Sequence, residues 1–407
     1  MSEGWRLSTW GDEISLEYGK AIRGYQGAVA PFRVFGSNGP IGWSENALTQ
    51  GPGVILGRKG AYRGVHFSRD PFFVIDTAYY VKPKSELDMR WLYYAIIHHK
   101  LGEIDDGSPI PSTTRAAVYV RDIEVPPLPE QCAIAATLGA LDDKIELNRN
   151  MNATLEAIAR ALFRDWFTGF GPTRAKMEGR TSYLSPDLWS LFPDRLDDEC
   201  KPEGWEVFTL GQIAEHHTKS LTPAKMANGE VEHFSLPAFD KGQIPAIDHG
   251  ATIKSNKTLV PPEAILLSKL NPEIPRIWMP ETQGRLPQVT STEFLAYTAK
   301  GGAGRSFLFC LFSDQGFREM LHGMVTGTSK SHQRISPPSL LGRDVVVGAK
   351  HMFGAFEKLV APLLERVRAN RAESRTLAQT RDLLLPRLMS GDLRVADLAS
   401  FDQEAVA

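Results

Sequence analysis

The sequence predicts an α+β protein of two tandem globular domains, each followed by a long helix, with the two helices forming an antiparallel coiled coil of internal pseudo-twofold symmetry. Three observations predict this fold class: the sequence repeats itself after about 200 residues, each repeat ends in a heptad pattern, and each repeat mixes strand-like with helix-like segments. The predicted segments are domain 1 at 1–130, helix 1 at 131–170, a linker at 171–203, domain 2 at 204–350, helix 2 at 351–391 and a C-terminal tail at 392–407.

The internal repeat is carried by four pairs of matching stretches. "GWRLSTWG" and "GWEVFTLG" stand 200 residues apart, and three further pairs follow with an offset that grows to 222. They are "VILGRKG" and "AILLSKL" from Val54 and Ala264, "GSPIPSTTR" and "GTSKSHQR" from Gly107 and Gly327, and "RDIEV" and "RDVVV" from Arg121 and Arg343. A growing offset indicates loop insertions in the second of two diverged domains.

Each repeat ends in residues spaced at steps of three and four, the pattern of a coiled-coil seam. A helix from Gln131 to Phe167 would be about 55 Å long at 1.5 Å per residue, more than one domain can cover. Its obvious partner is the second copy, which must run antiparallel. The polar Asn148 and Asn370 would fix the register. The predicted seam consists of Leu141, Ile145, Asn148, Leu155 and Leu162 in helix 1, and Leu363, Val367, Asn370, Leu377 and Leu384 in helix 2.

Inside the globular repeats, "FFVIDTAYYV" and "AILLSKL" read as buried strands, while "MRWLYYAIIHHKL" and "SFLFCLFSDQGFREML" read as helices. Gly169 with Pro172 is expected to end helix 1, and Pro386 to end or kink helix 2. The segment 171–203 is rich in Pro, Asp and Ser, which is typical of a linker, with one short packed piece at "LWSLF".

Composition narrows the classes of function. The 407 residues, 42% hydrophobic and 23% charged, suffice for two ordinary cores, and no run approaches the ~18 apolar residues of a membrane span. Without a signal peptide, the cytoplasm is the expected location. Three separated cysteines suggest neither a disulfide framework nor a zinc site. The net charge of −2 argues against a protein that coats polyanions, so any DNA contacts must come from local loops.

Two enzyme motifs define a rival interpretation, a self-sufficient DNA methyltransferase or endonuclease. "FTGFG" at 167–171 fits the loop of an adenosylmethionine site but follows a long helix, whereas such a loop should leave a strand. A Pro-Asp…Glu-x-Lys pattern at 186–201 lies in the linker, where nothing is predicted to hold carboxylates around a metal. We therefore assign no catalytic and no metal-binding residue.

Polar and basic loop residues recur at equivalent places in both repeats and suit DNA. Arg reads guanine, Asn and Gln read adenine, and Lys and Ser hold phosphate. Two matching surfaces on a twofold frame suit a target in two parts. The candidate DNA-binding residues are Arg58, Lys59, Arg63, Ser112, Thr113 and Arg115 in domain 1, and Lys269, Asn271, Thr328, Ser331, Gln333 and Arg334 in domain 2.

The layout resembles the specificity subunit of type I restriction-modification systems. The resemblance covers essentially the whole chain and rests on "VPPLPEQCAIAATLGALDDKIELNRN" from Val125, the two "GW" domain starts, "SKLNP" at Ser268 and "GTSKSHQRIS" at Gly327. Helix 2 departs from the pattern at its entry, where "GAKHMFGAFEKLV" replaces "PLPEQCAIAATLG".

The resemblance implies a scaffold of two target-recognition domains without catalytic residues of its own. Its implied partners are double-stranded DNA, two methyltransferase subunits and, in the full complex, two restriction subunits, with no membrane. Adenosylmethionine, ATP and Mg²⁺ are then expected on the partner subunits, and no cofactor on this chain. An orphan specificity subunit, or one serving another phage-defence system, remains open on the sequence alone.

Overall fold

The computed structural model describes residues 4–60, 62–104, 111–222, 225, 229–281, 286–325 and 334–397. The chain forms two compact units, one of residues 1–148 with 372–407 and the other of residues 149–371. Each unit therefore contains one globular domain, part of the helix that follows this domain, and part of the other long helix.

Domain 1 is built around a four-stranded antiparallel sheet in the order β2-β8-β5-β6, next to a three-stranded sheet β4-β3-β7 and the pair β1-β9. The apolar run "GVILG" forms the central strand β5, which is buried along its whole length. The elements are β1 Arg6–Thr9, α1 Trp10–Glu13, β2 Ile14–Tyr18, β3 Phe32–Gly36, β4 Gly39–Ser44, β5 Gly53–Gly57, β6 Val65–Ser68, β7 Phe72–Val74, β8 Ala78–Pro83, α2 Met89–His98, α3 Arg115–Tyr119 and β9 Asp122–Val125, followed by the long helix α4 Leu128–Phe167.

The core of domain 1 lies between this sheet and α2. Asp88 caps α2 by accepting hydrogen bonds from the backbone N–H groups of Arg90 and Trp91. The buried face of α2 includes Trp91 and Tyr94, which share one apolar cluster with Trp10 and the strands β2, β5 and β8. Burying such large side chains stabilises the domain in proportion to the apolar area removed from water.

Domain 2 repeats this plan, with the sheet β11-β19-β16-β17 in place of β2-β8-β5-β6 and the pair β10-β20 in place of β1-β9. Its second sheet has five strands, β12-β15-β18-β13-β14, which accounts for the longer second repeat. The elements are α5 Gly171–Met177, α6 Pro186–Ser190, β10 Glu206–Thr209, α7 Leu210–Ile213, β11 Ala214–His217, β12 Ser220–Leu221, β13 Glu230–Phe234, α8 Leu236–Asp240, β14 Ala246–His249, β15 Lys257–Leu259, β16 Ile265–Ser268, β17 Ile277–Trp278, β18 Gln288–Thr290, β19 Phe294–Ala299, α9 Arg305–Ser313, α10 Gln315–Gly323, α11 Pro337–Leu341 and β20 Asp344–Gly348, followed by the long helix α12 Lys350–Met389.

In the first unit, the start of α4 lies against the end of α12. The buried Asn148 donates from Nδ2 to Glu373 Oε2 at 2.8 Å and to Ser374 Oγ at 3.3 Å. Arg381 pairs with Asp142 at 2.6 Å. Because lower numbers in one helix face higher numbers in the other, the two helices run antiparallel.

In the second unit, the end of α4 lies against the start of α12. The buried Asn370 donates from Nδ2 to Asn152 Oδ1 at 2.9 Å, and Arg371 pairs with Glu156 at 2.8 Å. With the repeat offset of 222, the Asn370–Asn152 contact is the counterpart of the Asn148–Ser374 contact with the two copies exchanged. The predicted fold class, with a long helix after each of two α+β domains and antiparallel helix contacts within each unit, is confirmed.

The predicted seam residues divide into two groups by burial. Ile145, Asn148, Val367 and Asn370 are buried, whereas the other six, Leu141, Leu155, Leu162, Leu363, Leu377 and Leu384, are half-buried. In the second unit the two helices have further buried positions, which are Leu364, one residue after Leu363, together with Ala159, Phe163, Trp166, Phe353 and Phe356. The helix ends pack against a domain core as well as against each other, which widens the apolar stripe beyond a two-helix seam.

The segment after α4 is folded and contains α5 and α6. Phe192, in the "LWSLF" piece, is buried, with its ring 4.9 Å from that of Trp166. The "FTGFG" stretch ends α4, because the N–H groups of Thr168 and Gly169 both donate to the carbonyl of Arg164. Phe170 then adopts a left-handed backbone with φ of 53°.

Candidate nucleic-acid interface

In domain 1 the two predicted DNA-binding segments lie side by side. Lys59 forms a single antiparallel bridge with Ser112. The N–H of Thr113 donates to the carbonyl of Arg58 at 2.9 Å, and that of Gly60 donates to the carbonyl of Pro111 at 3.0 Å. The chain therefore brings together, at the end of β5, segments that are about 50 residues apart in sequence.

Two of the predicted arginines stack on one tyrosine. The guanidinium carbons of Arg58 and Arg115 lie 4.7 Å and 4.1 Å from the centre of the Tyr18 ring. Arg115 also donates from Nε to the carbonyl of Leu16 at 2.6 Å, and Arg58 from Nη1 to the carbonyl of Asp76 at 3.2 Å. These contacts hold both guanidinium groups in place while leaving donors available for a ligand.

Tyr18 itself is 45% exposed, and it was missed by the sequence analysis. It is the last residue of β2. The next residue is Gly19, where a side chain would clash with the carbonyl oxygen of Ile75. Its neighbour Tyr79 is buried, which raises the pKa of the Tyr79 hydroxyl to about 12. The sequence signal for Tyr18 was an aromatic residue at the end of a strand. Its contacts with Arg58 and Arg115 could not be predicted, because both arginines are distant in sequence.

Two of the predicted DNA-binding residues, Arg63 and Thr113, are engaged by carbonyl groups of domain 1 itself. The guanidinium of Arg63 donates to the carbonyls of Gly60, Gly102 and Ile104 at 2.8, 3.0 and 3.0 Å. Thr113 is fully buried, and its hydroxyl faces the carbonyls of Leu101 and Ile104. Lys59 is exposed, and among the described residues its side chain, unlike that of Arg63, has no hydrogen-bond or ion-pair partner.

Domain 2 shows the same arrangement at the end of β16. The N–H of Ile335 donates to the carbonyl of Lys269 at 3.2 Å, and Leu270 forms an antiparallel bridge with Arg334. Arg334 is exposed and makes a two-pronged contact with Glu293, with distances of 3.1 and 3.2 Å. Lys269 therefore pairs with residues 334–335 in domain 2 as Arg58 pairs with the segment around Ser112 in domain 1.

The remaining domain 2 candidates are less fully described. Asn271 has a left-handed backbone with φ of 50°, and within the described ranges its buried amide oxygen has no hydrogen-bond partner. Thr328, Ser331 and Gln333 lie outside the residues that the structure describes.

The two enzyme motifs do not have the surroundings that their chemistry needs. "FTGFG" follows a helix rather than a strand, so its N–H groups are used in ending α4. In the other motif, Lys201 is bound to Asp197 at 2.6 Å and to Glu199 at 2.5 Å, and Asp187 lies in the first turn of α6. Across the described part of the chain, no group of three or more His, Cys, Asp or Glu side chains is arranged to hold a metal ion.

Among the described residues, no helix combines the length and the apolar character that crossing a bilayer requires.

Comparison with known proteins finds the same layout elsewhere. Residues 22–157 match the type I restriction modification DNA specificity domain. The chain is 25% identical over 359 residues to the type I restriction enzyme MjaIX specificity subunit of Methanocaldococcus jannaschii, covering 85% of this chain and 78% of that protein. It is 23% identical over 392 residues to the HindI specificity subunit of Haemophilus influenzae, covering 82% and 84%.

A solved structure supports the fold. The type I restriction-modification system S subunit from M. genitalium is similar with a TM-score of 0.58 at 18% identity, covering 94% of this chain and 96% of that one. At this identity the likeness concerns the fold. Together, the domain match and the two relatives show that residues 22–157 form a type I restriction modification DNA specificity domain, and that the chain is similar to type I specificity subunits along more than four fifths of its length.

Proposed function

We propose that this chain is the DNA-reading subunit of a type I restriction-modification complex, and that each globular domain reads one half of a bipartite duplex target. The observation that carries the proposal is the recurrence in both domains of one arrangement. A basic loop at the end of the central strand, at Lys59 or Lys269, is bridged to a polar segment that precedes a short helix. Two equivalent surfaces on one chain suit two half-sites.

Within each surface the side chains take different roles. The exposed Lys59 and the half-buried Lys269 are suited to phosphates, whose contacts fix position without reading sequence. Arg58 and Arg115, held by Tyr18, are suited to base edges, because a fixed guanidinium can bond bidentately to guanine. Arg334 must exchange its contact with Glu293 for one with DNA, which favours discrimination over affinity.

The chain is proposed to act as a scaffold for catalytic partners. It would bind two methyltransferase subunits and, in the full complex, two restriction subunits, in the cytoplasm. Adenosylmethionine, ATP and Mg²⁺ would then serve the partners' chemistry. Two observations support the absence of catalysis by this chain: the place of "FTGFG" at a helix end, and the ion pairs that engage Lys201.

Mapping methylated bases in the host genome by single-molecule sequencing tests the reading function. Disrupting this gene should remove methylation at one bipartite motif, and restoring the gene should return it. Exchanging domain 1, residues 1–130, for that of a relative should change one half of the motif and keep the other. Persistence of every motif after disruption would contradict the proposal.

A second test concerns catalysis. The purified full-length chain, given adenosylmethionine, ATP, Mg²⁺ and duplex DNA, should neither methylate nor cut. Methylation or cleavage that persists after all partner subunits have been removed would instead favour the self-sufficient enzyme.

A further inference from the structure

The second unit contains a cavity of about 320 Å³ that is lined by four arginines and by none of the residues of the proposed DNA interface. Arg160 and Arg164 come from α4, Arg318 from α10 and Arg371 from α12. Three helices thus direct guanidinium groups toward one space, the arrangement that proteins use to bind phosphate.

The carboxylates near this cavity do not balance its arginines. Glu156 alone lines it with negative charge, and it is shared by Arg160 at 3.2 Å and Arg371 at 2.8 Å. Asp314 lies 3.8 Å from Arg164, but this carboxylate is also engaged in capping α10. The cavity therefore carries excess positive charge, which favours an anionic ligand.

Two buried polar atoms of the lining lack a partner in the described part of the chain. One is Nε of Arg318, a donor, and the other is Oε1 of Gln243, an acceptor. Arg318 forms no ion pair with any described carboxylate. Gln243 adopts a left-handed backbone with φ of 60°, a costly conformation for a residue other than glycine. A buried donor and acceptor without partners cost free energy, which a ligand carrying both kinds of group would recover.

The opposite wall of the cavity is apolar. It is formed by Phe239, Pro275, Ile277 and Phe309, and Phe239 is itself backed by Trp278 at a ring distance of 5.6 Å. A volume of about 320 Å³ exceeds the needs of a phosphate ion and falls in the range of small-molecule sites. The ligand should therefore combine phosphate groups with a flat, mostly apolar part.

From these features we infer that this cavity binds a nucleoside phosphate. The phosphates lie among Arg160, Arg164 and Arg318, the base lies along Phe239 and Phe309, and a base N–H donates to Gln243. The ligand acts as an effector of the chain and undergoes no reaction there. The inference does not depend on the proposed DNA-reading function.

Calorimetric titration of the full-length chain without DNA, in a chelating buffer, tests the inference. The probes are ATP, ADP, inorganic pyrophosphate, adenosine and adenosylmethionine. ATP and ADP should bind once per chain, pyrophosphate more weakly, and the two probes without phosphate not at all. Arg318→Gln should weaken ATP binding about ten-fold or more, the value of a charge-assisted hydrogen bond.

Two further variants make the test independent of folding defects. Arg164→Gln changes a side chain that is 59% exposed, so it should fold normally and also weaken ATP binding. Arg366→Gln, an exposed arginine on α12 outside the cavity, is the matched control and should bind ATP as the unmodified chain does. The inference is overturned by an absence of saturable ATP binding, by an equal loss in the control, or by a loss of duplex DNA affinity alone in Arg318→Gln.

Discussion

Replacing Lys59 with alanine should weaken DNA binding by a salt-dependent amount without harming the fold. The Lys59 side chain is exposed, and the fold uses only its backbone, in the bridge to Ser112 and a hydrogen bond to the carbonyl of Thr77. If its ammonium group binds one phosphate, the salt dependence of the logarithm of the binding constant loses about 0.9 of its slope. At ~0.1 M salt this corresponds to about eight-fold weaker binding, or ~1.2 kcal/mol, and at ~0.3 M to only about three-fold.

Fluorescence anisotropy with a labelled duplex, titrated at several salt concentrations, measures both quantities. Because phosphate contacts do not read sequence, the loss should be the same for target and non-target duplexes. Lys84→Ala is the matched control in the same domain. Lys84 follows the far end of β8, about 20 Å along the strand from Ala78, the partner of Gly57.

The two variants give a clear decision. An unchanged slope for Lys59→Ala would remove this loop from the DNA interface, and an equal change for Lys84→Ala would show that the effect is one of overall charge. Lys269→Ala should likewise weaken DNA binding in domain 2, because Lys269 directly follows β16, at the place that Arg58 has after β5.

Further predictions follow for domain 1. Arg58→Ala should cost about 1–3 kcal/mol of target binding and relax one position of the methylated motif, which sequencing of methylated bases would reveal. Arg63→Ala should leave the motif unchanged and lower the stability of the fold by roughly 2–4 kcal/mol in a denaturant titration, because three carbonyls lose a charged donor. The buried Glu13 carboxyl forms a hydrogen bond with Arg6, and this bond holds the pKa of Glu13 at about 2. The stabilisation from Glu13 is therefore full above about pH 4.5 and lost as the pH falls toward 2, by about 2 kcal/mol after allowance for the exposed Arg6. Glu13→Gln should flatten the acid limb of a thermal-melt series; an unaltered limb would mean that other carboxylates dominate.

The architecture could be predicted because the internal repeat can be recognised in the amino-acid sequence. Matching stretches at a fixed offset indicate two copies of one domain, and apolar spacing indicates the helices that follow them. The same spacing with its central asparagines located the part of the helices in which Asn148 contacts Ser374 and Asn370 contacts Asn152. It could not locate Leu364 or Phe163, because their burial depends on contact with a folded domain.

The candidate site shows where sequence reasoning ends. Arg58 and Arg63 stand in the same loop, and nothing in their local sequence distinguishes them. The carbonyls that engage Arg63 belong to Gly102 and Ile104, about 40 residues later, while Arg58 meets the ring of Tyr18, 40 residues earlier. Roles of this kind are set by tertiary neighbours, and a single sequence carries no local signal of them.

The helix pair should set the spacing between the two half-targets, and the contacts indicate where to lengthen it. The seam alone suggests adding a heptad after Asn152 and after Ser374. The structure rules this out as a clean test, because Asn152 bonds with Asn370 and Ser374 with Asn148, so insertions at these places would separate the partners of both contacts. Insertions after residues 150 and 372 fall between these two contacts in both helices and keep each unit in register.

One heptad in each helix adds about 10 Å, or ~3 base pairs of DNA. Methylation mapping of the complex with both insertions should find the same half-sites separated by a gap about three base pairs longer. A single insertion in α4 alone should abolish activity, because it disturbs the register that both asparagines define. If the double insertion leaves the gap unchanged at full activity, the helices do not set the spacing. If it alters a half-site, they also affect how a domain reads its bases.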